Sequence, residues 1–133
     1  MTAYNAVGGI PATQNRWLLT DVLRRAWGFR GFVISDAAAT GGAVVLHHTE
    51  ADTPEAAAHA FKAGLDVVFQ SSWPQYRPYW GAVSRGLVPR AVIDSAVTHV
   101  LEAKFRLGLF DTPNVSPDSA ALVNGSAAHL ALA

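Results

Sequence analysis

The stretch Gly31–Asp36, which reads Gly-Phe-Val-Ile-Ser-Asp, is the feature that most constrains what this chain can fold into. Its apolar and small residues do not alternate with polar ones, which is typical of a strand buried on both faces in a parallel sheet covered by helices. The run ends on a carboxylate, at the strand end where parallel α/β folds carry their chemistry. Asp36 is therefore either a catalytic candidate or a cap for the following turn, and its position alone does not decide between them.

Helix signals lie on both sides of this strand. Apolar residues at helical spacing predict a helix over Arg16 to Trp27, with Asn15 as its N-cap and Gly28 as its C-terminal glycine. Thr53, followed by proline and glutamate, predicts the hydroxyl-capped start of a second helix that runs to Gly64.

The remaining elements continue an alternation of strands and helices. Met1 to Val7 is predicted as the end of a strand, and Leu65–Phe69 as a second buried strand. A short helix is predicted near Tyr79 to Ser84, and a long one from Pro89 that stops by Gly108. Strands that alternate with helices in this way predict parallel βα units, about three of them.

The length of the chain limits how many such units it holds. A closed (β/α)8 barrel needs about 250 residues, and three parallel strands alone would leave two unpaired edges. The 133 residues are therefore predicted to be part of a larger protein. The folded portion is predicted to be residues 1–112, and residues 113–133, which are small and polar, are predicted to be a linker.

The charge balance and residue usage exclude several classes of protein. Ten lysines and arginines stand against ten aspartates and glutamates, which argues against a nucleic-acid partner or an anionic membrane surface. The absence of cysteine excludes disulfides and thiolate metal sites but leaves the compartment open. No apolar run reaches the roughly eighteen residues of a transmembrane helix, and the first residues lack the pattern of a signal peptide. We expect a soluble chain of unknown localisation.

Seven sequence blocks occur in a fixed order along the chain. They are Ala3–Val7, Pro11 with Asn15, Trp17–Arg24, Trp27–Phe29, Gly31–Asp36, Ala63–Asp66 and Lys104–Phe110. Together they closely resemble glycoside hydrolase family 3, the β-glucosidases and β-xylosidases. The resemblance implies a partial TIM (β/α)8 barrel, strands six to eight of the family's catalytic domain, with the tail leading to a missing second domain of the same parent chain.

The same resemblance implies a role for Asp36 and Tyr4. Asp36 matches the nucleophile of a retaining mechanism, and Tyr4 matches a substrate-site tyrosine that hydrogen-bonds the nucleophile. Such a nucleophile must be ionised, rigidly held and about 5 to 5.5 Å from an acid/base carboxyl group. In two-domain members that group comes from the second domain, so the resemblance assigns it to no residue here. It implies a carbohydrate substrate with terminal β-linked glucose or xylose, and no cofactor or metal.

A charged loop follows the Asp36 strand and offers further candidates. Glu50 and Asp52 are within conceivable reach of Asp36, either as solvated charges, which we favour, or as site residues. His47 and His48 add potential metal ligands, but their spacing matches no closed metal site.

Aromatic residues cluster after the second buried strand. Trp73, Tyr76, Tyr79 and Trp80 either offer sugar-stacking faces or pack beneath the rim, and packing is favoured for Trp80. Family members usually carry an aromatic residue directly after the nucleophile, as a stacking platform on the aglycone side, and this chain departs from that pattern with Ala37.

Three polar residues are interpreted as structural. Asp66 lies early in its strand, which favours a structural hydrogen bond over catalysis. Asp21, near Arg24 and Arg25 on a helix, should be a surface charge. Asn5 either lines the site or closes the glycine turn after it, and we favour the turn.

Two functional readings remain. The first is a fragment of a retaining β-glycosidase with Asp36 as its nucleophile, inactive when isolated. The alternative is a catalytically silent truncated barrel fragment that serves only as a scaffold. Both predict the same fold.

Overall fold

Three short extended segments lie side by side in the computed structural model, which describes residues 1–133. Parallel bridges join Thr2 to Ser35 and Ile34 to Val67, so the segment that ends at Asp36 lies in the middle. The predicted strands Gly31–Asp36 and Leu65–Phe69 are wrong in length, because regular pairing is limited to these isolated bridges.

Side chains replace part of the backbone ladder between these segments. The Phe69 amide donates to Ser35 Oγ at 2.9 Å, and the Val33 amide donates to Asp66 Oδ2 at 2.7 Å. Because these amides bond to side-chain oxygens instead of carbonyls, the segments stay aligned without forming long regular strands.

A small hairpin follows the first segment. Strands β1 (Ala6–Val7) and β2 (Ile10–Pro11) pair antiparallel. Gly8 and Gly9 between them have φ angles of 61° and 81°, as the two central residues of a tight hairpin turn require. The Asn5 side-chain amide donates to the adjacent Ala6 carbonyl at 3.2 Å, whereas the Val7 carbonyl next to the turn accepts Asn15 Nδ2 at 3.0 Å.

The predicted first helix is present as α1 (Trp17–Ala26), with unusually wide turns of the π type. Asn15 Oδ1 accepts the Leu18 amide at 3.0 Å, which confirms the predicted cap. The Trp27 amide reaches back five residues to the Val22 carbonyl. Gly28 follows with a φ of 68°, the left-handed conformation predicted for it.

The second predicted helix has the expected length but a different cap. This helix is α3 (Thr53–Ala63), which is followed by Gly64 with a φ of 113°. A single helical turn that was not predicted, α2 (Gly42–Val45), precedes it. The N-cap of α3 is Asp52, whose Oδ1 accepts the Glu55 amide at 2.9 Å. The prediction that the Thr53 hydroxyl is the cap is wrong, because the carboxylate one residue earlier reaches the free amide.

The segment after Val67 is broken into short helical pieces. Helix α4 (Trp73–Tyr76) leads into a 3₁₀ turn (Arg77–Trp80) and then α5 (Gly81–Ser84), where one short helix was predicted. The long helix α6 (Arg90–Arg106) begins directly after Pro89, as predicted.

Helix α3 supplies much of the hydrophobic core. Its small alanine side chains let the backbones of neighbouring elements approach closely. The closest approach is at Gly81 on α5, where an added Cβ would lie only 2.5 Å from Pro54 Cγ on α3. The buried cluster contains Leu19, Val33, Ala57, Ala58, Ala60, Ala63, Leu65, Val68, Tyr79, Ala82 and Val88.

The chain divides into two compact units, Met1–Ala103 and Lys104–Ala133. The second holds two short helices, α7 (Pro117–Val123) and α8 (Ala127–Leu132), within the tail for which only a linker was predicted. The first contains every element up to most of α6. None of the helices combines the length and the apolar character needed to cross a bilayer.

Candidate active site

Asp36 lies where the middle extended segment ends. Its amide donates to the Thr2 carbonyl at 3.1 Å, which ties it to the neighbouring parallel segment. Its half-buried carboxylate accepts the Ala37 amide through Oδ1 at 2.7 Å. The carboxylate therefore caps the following turn by accepting a backbone hydrogen bond. The same hydrogen bond fixes the orientation of the carboxylate.

Tyr4 is the nearest polar side chain from the adjoining segment. Its hydroxyl donates to the Ala37 carbonyl at 2.6 Å. Partial desolvation, and then the negative charge and hydrogen-bonding capacity of the Asp36 carboxylate, raise the pKa of Tyr4 above its usual value. Tyr4 is 45% exposed and Asp36 is half-buried, so both residues lie at the surface of this chain.

The turn after Asp36 contains a residue in an unfavourable conformation. Ala38 has a φ of 61°, a left-handed conformation that costs a residue with a Cβ about 1 to 2 kcal/mol. Its amide donates to the Phe69 carbonyl at 3.2 Å, and the Ala39 amide donates back to the Asp36 carbonyl at 3.1 Å. These bonds hold the strained turn against Asp36.

Glu50 and Asp52 are engaged elsewhere. Glu50 Oε1 lies 2.5 Å from His59 Nδ1. Asp52 caps α3 and pairs with Arg85 at 2.6 Å, and the Glu55 backbone amide followed by the Arg85 side chain lowers the pKa of Asp52. Both therefore act in local structure. Asp52 is partly exposed, but the prediction that Glu50 is a solvated charge is wrong, because its side chain is only 8% exposed in the pair with His59.

The two loop histidines differ in their contacts. His47 Nε2 donates to the Tyr4 carbonyl at 2.7 Å, whereas His48 is exposed, with a φ of 51°. The chain has no group of three histidine, aspartate or glutamate side chains arranged to hold a metal ion. The contact of His47 with Tyr4 was not foreseen from the sequence.

The aromatic cluster is only partly packed. Tyr79 is buried, its hydroxyl accepts Gln70 Nε2 at 2.7 Å, and burial raises the pKa of Tyr79. Trp73 and Trp80 meet edge to face with ring centroids 5.2 Å apart, and they are 60% and 61% exposed. The packing expected for Trp80 is therefore wrong, and Tyr79 fills that place.

A cavity of about 690 Å³ lies between the third extended segment and the helices after it. Val67, Tyr76, Trp80 and Ile93 are among its lining residues, whereas neither Asp36 nor Tyr4 lines it. The candidate site thus lies at the surface of this chain, and this mainly apolar cavity is separate from it.

Asp66 forms a buried network that supports its structural interpretation. Its side chain is only 3% exposed and is hydrogen-bonded to Arg24, to the Val33 amide and to His99 Nδ1, the last at 2.8 Å. Asp21 pairs with Arg25 at the surface, at 2.8 Å, as predicted.

Comparison with known proteins identifies relatives of this chain. A periplasmic β-glucosidase of Salmonella typhimurium is 41% identical over 114 residues, which cover 85% of this chain and 14% of that protein. The exo-1,4-β-xylosidase bxlB of Emericella nidulans is 36% identical over 88% of this chain and 16% of its own length. The chain thus spans less than one fifth of these relatives.

Solved structures give the same result. A β-glucosidase involved in saponin metabolism from intestinal bacteria has a TM-score of 0.83 and 42% identity, over 98% of this chain and 17% of that one. A β-glucosidase from Listeria innocua in complex with glucose has a TM-score of 0.79 and 35% identity, over 95% and 17%. The family model described as the glycosyl hydrolase family 3 N terminal domain matches residues 1–103. The chain therefore belongs to glycosyl hydrolase family 3.

Proposed function

We propose that residues 1–133 contribute the nucleophile of a retaining β-glycosidase that acts on terminal β-linked glucose or xylose. The observation that carries the proposal is the position of Asp36, at the end of the middle parallel segment beside Tyr4. Membership in a family with β-glucosidase and β-xylosidase relatives supports the substrate class.

The contacts of Asp36 suit a nucleophilic carboxylate. Its Oδ1 is fixed by the Ala37 amide at 2.7 Å, and its backbone amide is fixed by the Thr2 carbonyl. A carboxylate held in one orientation loses little entropy when it forms a bond, and a position at the surface of this chain gives a sugar access to it.

The proposed reaction has two steps. An Asp36 carboxylate oxygen attacks the anomeric carbon, and the bond from that carbon to the leaving oxygen breaks as an acid group protonates that oxygen. Water, deprotonated by the same group, then attacks the anomeric carbon and releases Asp36. The hydroxyl of Tyr4 donates its one proton to the Ala37 carbonyl, so Tyr4 is proposed to hold the turn that orients the Asp36 carboxylate.

The acid/base group is proposed to come from a segment outside these residues. Glu50 and Asp52, the carboxylates of the following loop, are held by His59 and Arg85 respectively. A second domain of the parent protein is the proposed source.

The chain is further proposed to be part of a (β/α)8 barrel that further βα units complete, and to lack glycosidase activity when isolated. Large apolar side chains that such units would cover are exposed, among them Trp17, Trp27, Val45 and Phe105. Activity on aryl glycosides by residues 1–133 alone would contradict this part of the proposal.

A mechanism-based label tests the nucleophile in the full-length protein. A 2-fluoro glycoside, which forms a glycosyl-enzyme that hydrolyses slowly, should add its sugar mass to the peptide that carries Asp36. Asp36→Ala should abolish both labelling and turnover, whereas Asp21→Asn, at an exposed carboxylate, should change neither. Label on a different carboxylate would contradict the assignment of Asp36.

The same labelling experiment addresses the alternative, a silent scaffold. A scaffold would take up no label and would hydrolyse neither glucosides nor xylosides in its full-length form. We favour the enzyme because the turn that presents Asp36 retains a strained residue, Ala38, a feature found most often at functional sites.

A further inference from the structure

A ring of hydrogen bonds joins the loop after Asp36 to the segment that carries Tyr4. His47 Nε2 donates to the Tyr4 carbonyl at 2.7 Å, and the Tyr4 hydroxyl donates to the Ala37 carbonyl at 2.6 Å. The chain from Ala37 to His47 closes the ring. His47 thus contacts Tyr4, and Tyr4 contacts the residue next to Asp36.

The Ala37 backbone is the part of this ring that controls Asp36. Its amide donates to Asp36 Oδ1 at 2.7 Å, while its carbonyl receives the Tyr4 hydroxyl. The next residue, Ala38, has a φ of 61°, which is unfavourable for a residue with a Cβ. The local sequence therefore does not favour this turn conformation. The orientation of the carboxylate therefore depends on the bonds that hold the turn from outside.

His47 is anchored well enough to hold Tyr4. Its own amide donates at 3.0 Å to the carbonyl of Gly42, the first residue of α2, which fixes His47 to that helix. Tyr4 itself lies outside regular secondary structure, between the Thr2 bridge and β1. The Tyr4 carbonyl can only accept a hydrogen bond, so the imidazole is the donor, through Nε2.

We propose that His47 is a positioning residue for Asp36, acting through Tyr4 and the Ala37 backbone. The inference rests on the proposed function, since it assumes that Asp36 is the nucleophile. His47 itself does not contact the sugar in this scheme. Loss of its hydrogen bond lets Tyr4 shift, and the Asp36 carboxylate then spends less time in the attacking orientation.

Two substitutions of similar length in the full-length protein separate the hydrogen bond from the volume of the side chain. His47→Met removes the donor, and we expect it to lower the rate of glycosyl-enzyme formation about tenfold with little change in the KM for an aryl glycoside. His47→Gln keeps an N–H donor and should recover most of that rate. His48→Asn is the matched control, because Asn tolerates the left-handed conformation of that exposed neighbour.

A double-mutant cycle tests the route through Tyr4. Tyr4→Phe breaks the other bond of the ring, so adding His47→Met to it should cause little further loss. Fully additive losses, a wild-type rate in His47→Met, or failure of His47→Gln to recover the rate would overturn the proposal.

Hydrogen exchange supplies a readout that does not depend on catalysis. The amides of Ala37 and Ala38 should exchange about tenfold faster in His47→Met than in the wild-type protein, and no faster in His48→Asn. If the wild-type protein takes up no 2-fluoro label, the proposed function fails. Amide exchange at Ala37 and Ala38 still shows in that case whether the hydrogen bond of His47 to Tyr4 holds the turn. Unchanged exchange at these amides would overturn the positioning role even in an active enzyme.

Discussion

Asp36 and Asp66 lie on neighbouring parallel segments, yet their surroundings differ. Asp66 precedes the bridge at Val67, is 3% exposed, and binds Arg24, the Val33 amide and His99. Asp36 follows its segment, is half-buried, and receives the Ala37 amide on one oxygen. A carboxylate whose two oxygens are both occupied holds elements together, whereas one fixed on a single side retains the capacity to react.

Replacing Asp66 should produce the largest change in stability. Asp66→Ala leaves the Arg24 guanidinium and the Val33 amide without their partner, and loss of one member of a buried pair costs about 3 to 5 kcal/mol. Equilibrium unfolding in urea measures this free energy.

Asp36→Ala is the matched control for that measurement. Asp36 accepts one hydrogen bond, from the Ala37 amide, so its removal should lower the free energy of unfolding by about 1 kcal/mol, well below the loss at Asp66, while abolishing activity. Equal losses of stability in the two variants would contradict the division of roles between Asp36 and Asp66.

Ser35 offers an intermediate test, because it directly precedes Asp36 and its side chain bonds to the segment that carries Asp66. Its side chain is fully buried and accepts the Phe69 amide, so Ser35→Ala leaves a buried donor unpaired at a cost of about 1 to 3 kcal/mol. Activity should fall as well, since the Phe69 carbonyl holds the Ala38 amide of the Asp36 turn. The control Ser95→Ala, at an exposed position on α6, should change neither the free energy of unfolding nor the activity. An equal loss of stability in Ser95→Ala would contradict the role assigned to Ser35.

The smallest expected effect concerns Asp52, an exposed carboxylate with a structural role. The pKa of Asp52 is lowered in the folded state. Its ionised carboxylate therefore stabilises the folded protein fully at a pH above the unfolded-state pKa, and this stabilisation is lost as the pH falls through the folded-state pKa. Stability should therefore decline on acidification below about pH 4 more steeply in the wild-type protein than in Asp52→Asn, which keeps a capping oxygen. Urea unfolding across that range measures both slopes, and parallel curves would contradict the prediction.

Much of the helical architecture could be predicted because its signals are local. Asn15 caps α1, and Gly28 and Gly64 take up left-handed conformations after their helices, where spacing placed them. The wide turns of α1 carry no such signal. Likewise, the cap of α3 is Asp52 instead of Thr53, since both residue types suit that place and three-dimensional geometry selects one.

The candidate site was predicted in part. Asp36 follows a recognisable strand pattern, and Tyr4 entered through a family resemblance. The contact of His47 with Tyr4 joins residues 43 positions apart, and no spacing rule marks it. The side-chain bonds of Ser35 and Asp66 were also invisible, because a run of small and apolar residues predicts a regular ladder, whereas the chain uses polar side chains to connect its segments.

The network at Asp66 also restricts the order in which this chain can fold. It gathers residues from α1, from the middle segment and from α6, and Arg24 and His99 are 75 positions apart. Contacts between such distant positions are slow to form. On a ribosome Asp66 therefore has only Arg24 and the Val33 amide as partners until α6 emerges, and the network closes when His99 becomes available.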